Sequence, residues 1–344
     1  MKIIFLSARD TGGTTYTLAH AINRVTPEHQ AVNIRGINTF IAYPTIMDMA
    51  DYPRSAMKKM ILGADVVVFL ELIHPFTEAY GITRKELKDV PKKILLEMGS
   101  EWRYGRRDVL EQAERILGDY KVVLGGADMF QPIDFKDPEG NDVHFDAVDE
   151  STVEYLPVVR GFDEIQEKYG ISKPDQVALE SFACPRKKVI FTHAPTSEVN
   201  KGSHIFFKAI TRAQQAVPNL VFTTVRQQTW HATLGIIAKS DVLLDQAPPF
   251  PTAYGALSVE AGIFRLPSFS QVAPECRDFI KRHTGLNTPQ IAFNDDEDLF
   301  KKVTAIATDA ELRHEWGNRN YEYCKQLHDE KPVVDRFLKI VEAM

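Results

Sequence analysis

Lys201 and Glu260 are the residues whose types and spacing most readily do chemistry in this chain. Lys201 lies in KKVIFTHAPTSEVNKGSHIFFKAI, which begins at Lys187 and runs an apolar strand into a glycine-opened helix. A helix start presents free N–H groups and the positive end of a dipole, so an anion is favoured there, and a lysine adds a point charge. Further on, SDVLLDQAPPFPTAYGALSVEAGIFRLP begins at Ser240 and carries Glu260 on a helix whose pattern is otherwise apolar (Ala256, Leu257, Val259, Ile263). An acid near a buried face needs hydrogen-bond donors, and sugar hydroxyls supply them. A cation at one strand-to-helix turn and an acid at the other suit a ligand with both a phosphate and a sugar. The ordinary readings stand beside these: a solvated lysine next to a capping serine or asparagine, and a helix acid that complements the dipole. Tyr254-Gly255 lets the backbone approach a ligand closely, and Asp245 ends its strand at the same edge, as a site residue or as a turn cap.

The first half offers weaker signals. Gly12-Gly13 forms a tight turn between a strand and a helix, common in any wound sheet. The Gly99 to Arg103 turn also follows a strand; there Glu101 and Arg103 can orient an acceptor hydroxyl, and Trp102 can stack on a ring or simply pack. His74 follows a strand ending at Leu70. Between Arg84 and Arg107, Arg84, Lys85, Lys88, Lys92, Lys93, Arg103, Arg106 and Arg107 interleave with Trp102 and Tyr104. That pattern fits an anionic acceptor, or else two solvated helix faces balanced by Glu86, Asp89, Glu97, Glu101 and Asp108.

Short β-rich runs alternating with helical patterns must position these residues, which predicts parallel sheets covered on both faces. Strands are expected at 2–6, 31–34, 65–70, 93–97 and 121–124, then at 187–192, 220–224, 241–244 and 267–270. Helices are expected at 14–24, 202–216, 229–239, 254–264 and 274–283, with a helical tail from Asp296. The polar stretch 134–150 reads as a loop or an inserted hairpin, and 158–183 as a linker with the lead-in to a second domain. The expected organisation is an α/β chain of two doubly wound domains, 1–160 and 161–328, facing across a cleft, with a C-terminal helix, 329–344, packing back on the first. Ligands are expected at the carboxyl ends of the strands.

Bulk properties agree with an ordinary globular chain. The 344 residues suit two domains of roughly 150 residues. A net charge of −6 argues against broad nucleic-acid binding. Three scattered cysteines without C-x-x-C fit reduced thiols and a cytoplasmic setting rather than a disulfide framework or a zinc site. The start MKIIFLSARD is too short an apolar run for a signal peptide, and no stretch approaches the roughly 18 apolar residues of a membrane span.

The motifs HAPTSEVNKG (193–202), SDVLLDQ (240–246) and YGALSVEAGIFRLPSFS (254–270), with ARDTGGTTYTLAHAI and ILLEMGSEWR in the first half, resemble the retaining glycosyltransferases of the GT-B fold, the family 4-like group. The resemblance implies two Rossmann-like domains. It also implies metal-independent, retaining transfer from a UDP- or GDP-sugar to an acceptor hydroxyl, with no cofactor beyond the nucleotide sugar. Lys201 would offset charge on the leaving diphosphate, Glu260 would bind the ribose, and the turn from Gln228 to His231 would meet the base. The implied donor-binding set is Gly12, Gly13, His193, Lys201, Gly202, Asp245, Tyr254, Gly255, Ser258 and Glu260; the catalytic candidates are Lys201, Glu101 and Arg103. The acceptor can be a carbohydrate, a lipid headgroup or a modified base in DNA. The chain departs from the pattern at Thr196 and Ser197, where an arginine is usual, at Thr252, eight residues before Glu260, where an acid is usual, and at Met98, where a histidine is usual. These departures keep a rival in view, a GT-B protein that binds nucleotide or carbohydrate without turnover. An epimerase or a phosphorylase on the same scaffold is a further alternative.

Overall fold

The computed structural model describes residues 1–10, 12–71, 81–98, 100–136, 142–170, 188–247 and 253–344. His74, Gly99, Cys184 and Thr252 lie outside the described residues, as do the side chains of Glu101, Arg103 and Tyr104. The chain divides into two compact units, Met1–Val159 with Glu330–Met344, and Arg160–Asp329.

The first unit is built on a parallel sheet of order β3-β2-β1-β4-β5-β6-β9. Its strands are β1 (Lys2–Ser7), β2 (Gln30–Arg35), β3 (Met47–Asp48), β4 (Val66–Leu70), β5 (Lys92–Glu97), β6 (Lys121–Leu124) and β9 (Val153–Tyr155). Alternate strand residues point to opposite faces. One face (Ile3, Phe5, Val66, Val68, Ile94, Leu96) packs on α1 (Thr14–Val25) and on the C-terminal helix α12 (Glu330–Glu342) through Leu18, Ile22, Val334 and Phe337. The other (Ile4, Leu6, Val67, Phe69, Leu95) packs on α2 (Arg54–Leu62), α3 (Arg84–Leu87) and α4 (Ser100–Leu117) through Met57, Ile61, Leu87, Ala113 and Leu117. The stretch 134–150 contains an antiparallel hairpin, β7 (Ile133–Lys136) with β8 (Asp142–Phe145).

The second unit has a four-stranded parallel sheet of order β11-β10-β12-β13. It contains β10 (Val189–His193), β11 (Leu220–Thr224), β12 (Val242–Gln246) and β13 (Ser268–Ser270). α6 (Ser203–Ala216) and α10 (Asp296–Thr308) cover one face, through Phe206, Ile210, Leu299 and Val303. α5 (Phe162–Tyr169), α7 (Trp230–Ile237), α8 (Ala256–Ile263), α9 (Pro274–Thr284) and α11 (Ala310–His328) complete the unit. Because the connection after β10 leads to β11 on one side and the connection after β12 leads to β13 on the other, the switch point falls between the carboxyl ends of β10 and β12.

Three expectations need correction. Two short strands, β3 and β9, carry too few apolar residues to stand out by pattern. The linker region holds a helix, α5, whose Phe162 and Ile165 are buried. The supposed turn 99–103 is in fact the start of α4 from Ser100 onward, which puts Trp102 in the interior, 1% exposed, with Nε1 donating to the Met129 carbonyl at 3.1 Å. Among the described residues no helix is long and apolar enough to cross a membrane, and Cys276 and Cys324 are buried.

Helix α8, which leads into the switch point, is held by close packing on α11. A Cβ at Gly262 would lie 2.7 Å from Cys324 Sγ, and one at Gly317 would lie 1.9 Å from the Arg265 carbonyl oxygen. The backbone at Gly317 has no way to yield without moving α11. Gly317→Ala is expected to destabilise the protein by about 1–3 kcal/mol through overpacking; a urea midpoint equal to that of the parent would contradict this packing.

Candidate functional site

At the switch point, Lys201 and Gly255, from the connections after β10 and β12, come together with Asp245 of β12 itself. Asp245, 1% exposed near the end of β12, accepts from Gly255 N at 2.7 Å and from Ser258 Oγ at 2.7 Å through the same oxygen, Oδ2. It therefore ties the residue just before α8, and a side chain of its first turn, to the end of β12. Its Oδ1 has no hydrogen-bond partner among the described residues and lies 3.8 Å from Lys201 Nζ. Gly255 fits closely: a Cβ would stand 3.0 Å from Asp245 Oδ1 and 3.1 Å from Lys201 Nζ, so either side chain would have to give way. Lys201 also donates to Gln246 Oε1, and Gln246 Nε2 donates to the Ala253 carbonyl. Gln246 sits where the β12–β13 register shifts, so its side chain turns toward Lys201.

The start of α6 is built differently. Gly202 precedes it in the left-handed region (φ 59°) and brings no capping side chain. No carboxylate is hydrogen-bonded to this first turn among the described residues. His193, at the end of β10, is fully buried; Nδ1 lies 2.8 Å from the Leu244 carbonyl oxygen and Nε2 2.7 Å from Ser203 Oγ. With Nδ1–H donating to the carbonyl, Nε2 accepts from the hydroxyl. Burial pushes its pKa below 6.5 and keeps the ring neutral. His193 thus ties β10, β12 and α6 together rather than facing a ligand.

Glu260 has partners other than the ribose hydroxyls that the resemblance implies. It is 2% exposed, and its Oε1 accepts from Arg160 Nε and from Trp230 Nε1, both at 2.9 Å. Arg160, fully buried at the start of the unit, also donates its N–H to the His328 carbonyl at 2.8 Å. Tyr254 reaches the same region, its hydroxyl 2.6 Å from Tyr323 Oη and 2.8 Å from His328 Nε2. Ser258 is buried and also bonded through its carbonyl to Asn320 Nδ2 at 3.2 Å. His231 pairs with Tyr169 Oη, and burial with Lys168 nearby lowers its pKa.

In the first unit Gly13 precedes α1 with φ 65°, and a Cβ there would run into the Tyr43 ring at 2.1 Å. Asp10 is the residue that pattern reading missed. Its carboxylate, 4% exposed, accepts from Thr14 N at 2.8 Å, Thr15 N at 2.9 Å and Thr15 Oγ1 at 2.6 Å, so this helix start already holds an anion of the chain itself. Burial raises its pKa while those hydrogen bonds oppose the rise. The visible signal was an acid four residues ahead of a helix start. Arg160 had no such signal. Met98 packs on Gly125, where a Cβ would meet its sulfur at 1.8 Å. The basic run 84–107 does not form one surface: Lys93 is buried and donates to the Leu87 and Val90 carbonyls, and Arg106 is buried as well.

No protein-family model matches the chain, and no curated protein sequence matches it. Solved structures do. The Anabaena protein HepE in complex with UDP and glucose covers 100% of both chains at 12% identity and a TM-score of 0.61. An alpha-glucosyltransferase in complex with UDP and a 13-mer DNA containing a central A:G mismatch covers 99% of this chain and 98% of its own at 11% identity and a TM-score of 0.61. A glycosyltransferase from Rickettsia africae covers 98% and 97% at 12% identity and a TM-score of 0.57. The chain has the GT-B fold. At such identities the likeness is one of fold, and the two units are the two Rossmann-like domains of GT-B.

The His193 geometry has a consequence for pH. The unfolded chain takes up a proton at this ring near its ordinary value of 6.5, whereas the folded chain resists it to lower pH. Stability present above 6.5 is therefore lost as pH falls from there through the folded value. Urea unfolding at pH 7.5 and 5.5 is expected to show this loss in the parent and a smaller one in His193→Gln; equal slopes in both proteins would exclude His193 as the source.

Proposed function

We propose that this protein is a glycosyltransferase that moves a sugar from a UDP-sugar to an acceptor hydroxyl with retention and without a metal ion. One observation carries the reading: Lys201 stands at the sheet switch point beside the start of α6, with Asp245 and Gly255 next to it. The whole-chain likeness to structures that hold UDP supports it. A diphosphate at this helix start would meet the Lys201 ammonium and the positive end of the α6 dipole, so the charge growing on the leaving nucleotide is offset where it develops. Asp245 plays a positioning part, because it holds the start of α8 and its buried Oδ1 faces Lys201. His193 and Glu260 fix α6 and α8 from behind. Attack then comes from the face that the leaving group occupies, and no covalent nucleophile is demanded.

The test is UDP release from a panel of UDP-sugars, with thermal shift as the binding readout. Lys201→Ala is expected to lower kcat/KM by about 10²–10³, the loss of one preorganised charge donor, while the far-ultraviolet spectrum stays that of the parent. Tight UDP-sugar binding with no turnover on any acceptor would favour the non-catalytic reading, and neither binding nor release would sink the proposal.

A second reading has one observation in its favour, the likeness to the alpha-glucosyltransferase solved with DNA. If the acceptor is a base in DNA, transfer falls steeply as salt rises, since phosphate contacts release counterions. A flat salt profile between 50 and 200 mM, roughly the range over which such contacts lose most of their affinity, points to a glycan or other uncharged acceptor.

A further inference from the structure

The first unit contains a cavity of about 450 Å³ that the proposed reaction does not use. Its volume falls within the roughly 300–1,000 Å³ typical of small-molecule sites. It lies beside α4, over the beginnings of β6 and β9 (Tyr120, Val122, Thr152, Val153) rather than over the carboxyl ends of the strands, and the segment that follows the β7–β8 hairpin (Phe145 to Val148) closes one side. The lining is largely apolar and aromatic, with Trp102, Leu110, Tyr120 and Phe145 around one cation, Arg106.

Arg106 is an unusual group to leave there. It is 8% exposed, and burial disfavours its charge. Its Nη1 donates to the Asp146 carbonyl at 2.7 Å and its Nη2 to the Met129 carbonyl at 3.1 Å, while Nε has no acceptor among the described residues. The guanidinium carbon stands 5.1 Å from the Trp102 ring and 5.6 Å from the Phe145 ring. Among the described residues no carboxylate forms an ion pair with it; Asp146, whose charge acts on it, turns its own Oδ1 to His144 Nε2 at 3.2 Å on the exposed hairpin. A buried guanidinium held by carbonyl groups, with only the exposed Asp146 acting on it from a distance, has its charge balanced in part, and an anion in the cavity would complete the balance. The partly exposed Tyr120 and Phe145 rings select the rest of the molecule, because a flat ring packs well against aromatic edges and faces.

We propose that this cavity is a second ligand site, which takes a small planar aromatic molecule bearing a carboxylate, with the carboxylate directed to Arg106. The site is independent of the sugar-transfer reading and stands or falls without it. Its test is calorimetric titration of the full chain with 2-naphthoate and, in parallel, with the neutral 2-naphthamide. The expected result is saturable binding at one site with naphthoate preferred about tenfold or more, the worth of a charged hydrogen bond. Arg106→Met is expected to remove that preference, and Leu110→Trp, which fills the cavity, to remove binding of both probes. Should Arg106→Met fail to fold, Leu110→Trp decides. Absence of saturable binding, equal affinity for the two probes, or binding untouched by Leu110→Trp would each overturn the proposal.

Discussion

The Asp245 carboxylate is the constraint on which the second unit's switch point depends. It ends a strand in the interior, where an ionised carboxylate is costly unless donors surround it. Those donors come from the next helix, the Gly255 N–H and the Ser258 hydroxyl, so the need to satisfy one buried acid sets where α8 begins. The other oxygen faces Lys201, which comes from the turn after β10. Two separate connections are thus placed by one side chain, and Gly255 fits closely between its carboxylate and Lys201.

Helix starts in this protein are met in several ways. At α1 the exposed N–H groups donate to a carboxylate of the chain itself, Asp10, and at α8 Asp245 takes the N–H of Gly255, just before the helix. At α6 no side chain caps the first turn, where the Ser203 and Ile205 N–H groups donate to the Glu198 and Gly202 carbonyls. Helices α2, α5 and α9 also begin without a side-chain cap. What sets α6 apart is Lys201 at the switch point, a cation beside the positive end of a helix dipole. That lysine, rather than an absent cap or glycine content, separates a structural turn from a candidate phosphate site here.

Buried charge recurs away from the switch point with different solutions. Glu260 and Arg160 pair across the second unit, helped by the Trp230 indole, and tie α8 to the point where the chain enters the unit. Such a pair is weak evidence of stability by itself, yet breaking it leaves an uncompensated charge, so it holds its elements in one arrangement. Arg106 in the first unit is met by carbonyl oxygens instead. The same chemical problem, a charge out of water, is solved internally in one unit and left partly open in the other.

The alternation of strands and helices was legible in the sequence because it is a local property: apolar runs of strand length between helical periods force a wound parallel sheet. Positions such as Gly13, Gly202 and Gly255 could be read as turns for the same reason. The short strands β3 and β9 were not legible, since two or three residues carry no period. What the side chains do was decided by tertiary structure. Glu260 and Arg160 are a hundred residues apart, His193 meets Leu244 and Ser203 from different connections, and Trp102 turns inward once α4 starts at Ser100. A polar group's role depends on which partners burial brings to it, and those partners come from parts of the chain whose separation in sequence says nothing of their distance in space.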